Sequence, residues 1–116
     1  MRQWKMKSRC EKRHLSKCEE VCRTYDKVQY SYATRLEEDP NIESFKCNVY
    51  LEGLEIGDFT SDFVAVKANG DLMVRECVWR KNLPRPRTLK LLDASRDFWV
   101  RRGVQDWGIV IDAEEK

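Results

Sequence analysis

No stretch of this 116-residue chain approaches the ~18 consecutive apolar residues that a membrane-spanning helix needs, and no signal-type apolar core follows Met1. These absences argue against a membrane partner and lead to the expectation of a cytoplasmic protein. No internal repeat, low-complexity segment or flexible linker divides the sequence, so a single domain with one hydrophobic core is expected. The five cysteines are an odd number without a regular framework, which suits a reducing cytoplasm better than secretion.

Charge is what the chain has in quantity. Lys and Arg number 22 against 20 Asp and Glu, for a net +2, and the small difference conceals a layout. Residues 1–15 hold six cations and one acid, residues 80–102 hold eight cations and two acids, and the stretch from Glu37 to Asp62 is strongly acidic. Basic flanks around a carboxylate centre suit phosphate contact beside a metal site. Solvated faces of a small, highly charged protein account for the same counts equally well.

The most informative stretch runs from Thr60 to Trp79. Two runs of strand character flank Asn69-Gly70-Asp71, residue types that tolerate positive φ and close tight hairpins. Asp62 sits in the first run beside Phe63 and Val64. In the second, Leu72, Val74, Glu76 and Val78 alternate with Met73, Arg75, Cys77 and Trp79. A carboxylate inside each of two neighbouring strands is expensive unless it binds something. Magnesium or manganese held by Asp62 and Glu76 is therefore expected.

Around this hairpin the spacing predicts a helix from about Lys17 to Glu38, with Ser16 and Glu19 as a capping box and Asp39-Pro40-Asn41 as its stop. Gln29 lies just off its apolar stripe. Residues 42–51 read as a strand with Phe45, Cys47, Val49 and Leu51 on one inward face. Cys10, His14, Cys18 and Cys22 recur every four residues; on one continuous helix they would rise ~18 Å and could not meet on one ion. Only a break near Leu15-Ser16 would let the two halves form a site, so zinc is not the leading expectation there. Residues 1–15 form a basic arm or short strand, and residues 16–116 the domain proper. Arg80, Lys81, Arg85 and Arg87 crowd an extended loop stiffened by Pro84 and Pro86, the leading candidate for DNA phosphate contact. A helix from Thr88, closed by Gly103, and a central strand from Trp107 to Ile111 complete the order helix, three strands, helix, strand. The expected fold class is α/β, a mixed sheet flanked by helices.

Asp62 in TSDFV, Glu76-Cys77-Val78, Arg87-Thr88-Leu89, Arg96-Asp97-Phe98-Trp99 and the closing Trp107-Gly108-Ile109-Val110-Ile111-Asp112 together resemble the N-terminal catalytic domain of TnsA. TnsA is the endonuclease subunit of heteromeric transposases, in the PD-(D/E)xK restriction-endonuclease-like superfamily. The resemblance covers roughly residues 25–114. It implies a restriction-endonuclease-like core, metal-dependent DNA cleavage, and DNA and other transposition proteins of a mobile element as partners. It places the catalytic acids at Asp62 and Glu76. The family's helix glutamate falls on Gln29 and its lysine on Val78, so a degenerate, non-cleaving relative is the leading expectation. An active endonuclease whose lysine is supplied by Lys67, Lys81 or Arg80 is the alternative. A protein-interaction module without a nucleic-acid role is the third reading.

Overall fold

A computed structural model describes residues 2–3, 10–57 and 59–112. The loose alternation around Trp4 and Met6 and the polar tail at residues 113–116 lie outside the described residues. The elements in chain order are β1 (Arg2–Gln3), β2 (Glu11–Arg13), β3 (Cys22–Thr24), α1 (Lys27–Glu38) and β4 (Ile42–Leu51). They continue with β5 (Phe59–Lys67), β6 (Leu72–Val78), a 3-10 turn at Arg80–Asn82, α2 (Pro86–Val100) and β7 (Asp106–Ile111). The α/β class and the mixed sheet are as expected. Strands β4, β5 and β6 run antiparallel in succession, β7 lies parallel to β6, and β1 pairs with the start of β5.

Three elements depart from expectation. Helix α1 begins at Lys27 rather than Lys17, because Asp26 is its N-cap and accepts from the Gln29 N–H at 2.9 Å. Upstream of it, Cys22–Thr24 is a strand paired with Glu11–Arg13, and Arg2–Gln3 is a strand paired with β5, so residues 1–15 contain two short strands among those described. Ser16 caps nothing; its hydroxyl donates to the Glu37 carboxylate at the far end of α1. Helix α2 starts at Pro86, which suits a first helical position where the missing N–H is no loss. The expected extended loop thus becomes a 3-10 turn followed at once by a helix. Strand β7 is not central: it pairs only with β6 among the described residues, and Ile109 and Ile111 on it are exposed.

Each face of the sheet carries one helix. Val28, Ala33 and Leu36 of α1 pack with Phe45, Phe63, Ala65, Met73 and Cys77. Trp99 and Phe98 of α2 pack with Val49, Leu51, Val64, Val74 and Trp107 on the other side. In β4, therefore, Phe45 and Cys47 face α1 whereas Val49 and Leu51 face α2, although a regular strand would put all four on one face. The switch occurs at Asn48, whose φ of 55° is the only positive value at a non-glycine residue among those described. Asparagine tolerates this left-handed conformation better than most side chains. Its amide also donates to the Arg23 carbonyl at 2.8 Å, tying β4 to β3. Strand β5 follows the same twist: Ser61 faces α2, while Asp62 and Phe63 both face α1.

Asn48→Gly should lose the amide bond alone, about 1 kcal/mol, and Asn48→Ala the bond and the left-handed tolerance, about 2 kcal/mol. Urea unfolding of the three proteins checks the order; equal losses would show that the backbone conformation contributes nothing.

Candidate functional site

The hairpin β5–β6 is zipped only from its turn to the pair Phe63–Arg75. The next rung would set Asp62 opposite Glu76, and it does not form. There β6 stays with β7, pairing as far as Val78–Ile111, while β5 bends away and is joined along the vacated side by β1 at Phe59 and Thr60. Here neither Asp62 nor Cys77 is paired between β5 and β6, and a buried unpaired N–H costs about 1–3 kcal/mol. The two carboxylates take these N–H groups. Glu76 Oε1 accepts from the Asp62 N–H at 2.8 Å, and Asp62 Oδ2 accepts from the Cys77 N–H at 2.7 Å. Each acid satisfies a donor from the opposite strand.

The remaining oxygens are also engaged. Asp62 Oδ1 accepts from Gln29 Nε2 at 2.8 Å, and Glu76 Oε2 accepts from the Ser61 hydroxyl at 2.7 Å and the Ser95 hydroxyl at 2.5 Å. The serines cannot easily turn the other way, because each takes an indole N–H: Trp99 donates to Ser61 at 2.8 Å and Trp107 to Ser95 at 3.0 Å. The orientation of Gln29 is fixed in the same manner, since its Oε1 accepts from the Tyr25 N–H at 2.7 Å. Asp62 is 1% exposed, Glu76 0% and Gln29 3%, so the whole network is interior. Burial, with the neighbouring Asp62 charge adding to it, pushes the Glu76 carboxyl from its usual 4.5 up to about 7.

The three residues expected to form the site, Gln29, Asp62 and Glu76, are brought together. Ser61, Ser95, Trp99 and Trp107 belong with them and escaped the sequence reading. Their only signal was a serine on the apolar stripe of α2, between Leu92 and Trp99. Lys67 lies elsewhere: it is five residues along β5 from Asp62, about 17 Å at strand rise, and pairs with Asp106 at 2.5 Å. Asp106 also takes Arg75 at 2.7 Å, and Lys67 first, then Arg75, hold its carboxyl below the usual range. Lys81 sits with its ammonium 5.9 Å from the centre of the Trp79 ring. Val78 is buried at the end of β6 and lines a cavity of about 190 Å³ together with Asp26, Asn82, Thr88 and Leu91. The basic turn borders this cavity; Arg80, Lys81, Arg85 and Arg87 are all exposed, and Arg87 lies 5.4 Å from the centre of the Phe59 ring, above the strand that carries Asp62.

The chain matches no family model and no curated protein sequence. Function must therefore be argued from the site itself.

Two carboxylates are the right donor chemistry for magnesium or manganese, but their surroundings do not fit a hydrated ion. All four oxygens already accept hydrogen bonds, and magnesium ordinarily keeps several of its waters. An ion would have to displace Gln29 or the serines and open a sealed interior. The cysteine and histidine spacing resolves differently again. Cys10 and His14 do not join Cys18 and Cys22 in a ligand group; Cys47 does.

The raised Glu76 carboxyl has a consequence for stability. Between pH 4.5 and about 7 the folded chain holds a proton that the unfolded chain has lost, so this contribution is complete below 4.5 and fades as pH rises through 7. The loss should total roughly 3 kcal/mol, at about 1.36 kcal/mol per pH unit. Denaturant unfolding at a series of pH values should show stability declining across this window, and Glu76→Gln should flatten the decline.

Proposed function

We propose that this chain is a DNA-associated, non-cleaving relative of TnsA-type endonucleases, in which the metal site of a restriction-endonuclease-like core has become a closed hydrogen-bond network. The observation that carries the reading is the amide of Gln29 bonded to Asp62. A glutamate at that position would set an anion against Asp62 and require a cation between them. The amide supplies a donor instead, and no ion is needed to keep the carboxylates from repelling. The apolar Val78 supports the same conclusion, because a lysine there would help activate water and stabilise phosphate charge. Lys67 is too far along β5 to replace it.

DNA association rests on Arg80, Lys81, Arg85 and Arg87, exposed on one continuous segment that leaves β6 directly after the site. Other transposition proteins, in the setting of a mobile genetic element, are the partners this reading implies.

Duplex DNA should bind weakly, with log affinity falling against log salt at a slope of about −3 to −4 if all four cations meet phosphates. Arg85→Glu with Arg87→Glu should abolish the interaction in a mobility-shift assay. Binding that ignores salt, or its absence at low salt, would favour a protein-interaction module.

Supercoiled plasmid should stay intact with the wild-type protein even in manganese. Gln29→Glu together with Val78→Lys should introduce metal-dependent nicking, with thermal melting as the folding control because an ammonium replaces a buried apolar group. Nicking by the wild type that disappears in Asp62→Ala would overturn the proposal and identify an active enzyme.

A further inference from the structure

Away from the carboxylates, three cysteines converge. Cys18 lies in the turn after β2, Cys22 opens β3, and Cys47 sits in β4 immediately before Asn48. Their sulfur atoms all lie within 4.8 Å of one another. A tetrahedral ion with metal–sulfur bonds near 2.3 Å holds its sulfurs about 3.8 Å apart, so a contraction of about 1 Å would close the group. The spacing Cys18-x-x-x-Cys22 is also within the two-to-four-residue range of zinc ligand pairs.

Small apolar filling of the core is the simpler account of a single buried cysteine, and the convergence of three goes beyond it. Three sulfurs from three separate segments gather at one place rather than filling separate gaps.

The frame that holds them does not depend on the sulfurs. Arg13 pairs with Cys22 across β2–β3 and anchors that ribbon to α1 through Thr34 Oγ1 at 2.8 Å and the Tyr30 carbonyl at 3.0 Å. The Phe45 N–H donates to the Lys17 carbonyl at 2.9 Å, tying the Cys18 turn to β4. Asn48 ties β4 to β3. Each segment that brings a cysteine is thus fixed to another by bonds of its own. Two three-residue strands and a turn bury little apolar surface, and a metal clip is the usual remedy for so small a ribbon.

We propose that Cys18, Cys22 and Cys47 form a structural binding site for a thiophilic divalent ion, zinc being the one expected in cells. Among the described residues no fourth histidine, cysteine or carboxylate joins the group, so a solvent molecule or an added thiol completes the tetrahedron. Binding displaces the thiol protons to solvent and leaves three thiolates on the ion.

The test uses the full chain, reduced and freed of metal, then given zinc and desalted. Elemental analysis should find one zinc per chain, and Cys47, the partly exposed thiol of the group, should become slow toward a thiol-specific reagent. Cobalt in place of zinc should give a sulfur-to-metal charge-transfer band. Cys47→Ser should weaken zinc binding at least about tenfold, whereas Cys77→Ser, altered in the same core away from the group, should leave it unchanged. The proposal is overturned by a reduced wild-type chain that takes up no zinc or gains no thiol protection. A cobalt complex without the thiolate band, or full zinc retention by Cys47→Ser, would overturn it equally. If Cys47→Ser does not fold, thiol protection and the cobalt band in the wild type decide alone.

Discussion

The exchange of backbone donors between Asp62 and Glu76 is the interaction on which the rest of the architecture depends. Where β5 and β6 part, two N–H groups would be stranded in the interior, and each carboxylate reaches across to the opposite strand. Everything nearby serves these two carboxyl groups. Gln29 reaches Asp62 from α1, Ser95 reaches Glu76 from α2, and the indoles of Trp99 and Trp107 hold the serines in place. Both helices are therefore pinned to the sheet by polar contacts as well as by apolar packing. A fully satisfied buried network of this kind specifies one arrangement, because partial versions of it are costly.

That dependence changes what a pair of strand carboxylates signifies. Buried acids in neighbouring strands invite a metal, since burial without a partner is expensive. Here the partners are amides, hydroxyls and the chain itself. Folding alone holds Asp62 and Glu76 in place, with or without catalysis. Their presence is thus weak testimony to activity, and the informative positions are Gln29 and Val78, where the side chain decides whether an ion is needed.

Much of the fold was legible because periodicity and turn chemistry are local. Alternation marked β4 and β6, Asn69-Gly70-Asp71 marked the hairpin, and Gly103 marked the end of α2, where its φ is 83°. The helix start was misplaced because Val21, Cys22 and Tyr25 fall at helical spacing by coincidence, while the true cap at Asp26 competes with a plausible but unused Ser16. The edge position of β7 could not be read from its apolar run, since Ile109 and Ile111 are exposed despite their type. The grouping of Gln29, Asp62 and Glu76 was visible through resemblance. Ser61 and Ser95 were not, because a serine acquires its role only from what the fold sets opposite it. Nor was the joining of Cys47 to Cys18 and Cys22, a contact made across more than twenty residues.

The indole bonds carry a practical corollary. Of the four tryptophans, two donate directly to the hydroxyls that hold Glu76. Intrinsic fluorescence is consequently wired to the protonation and integrity of the buried carboxylates, and the molecule contains its own optical reporter of the site without any added label.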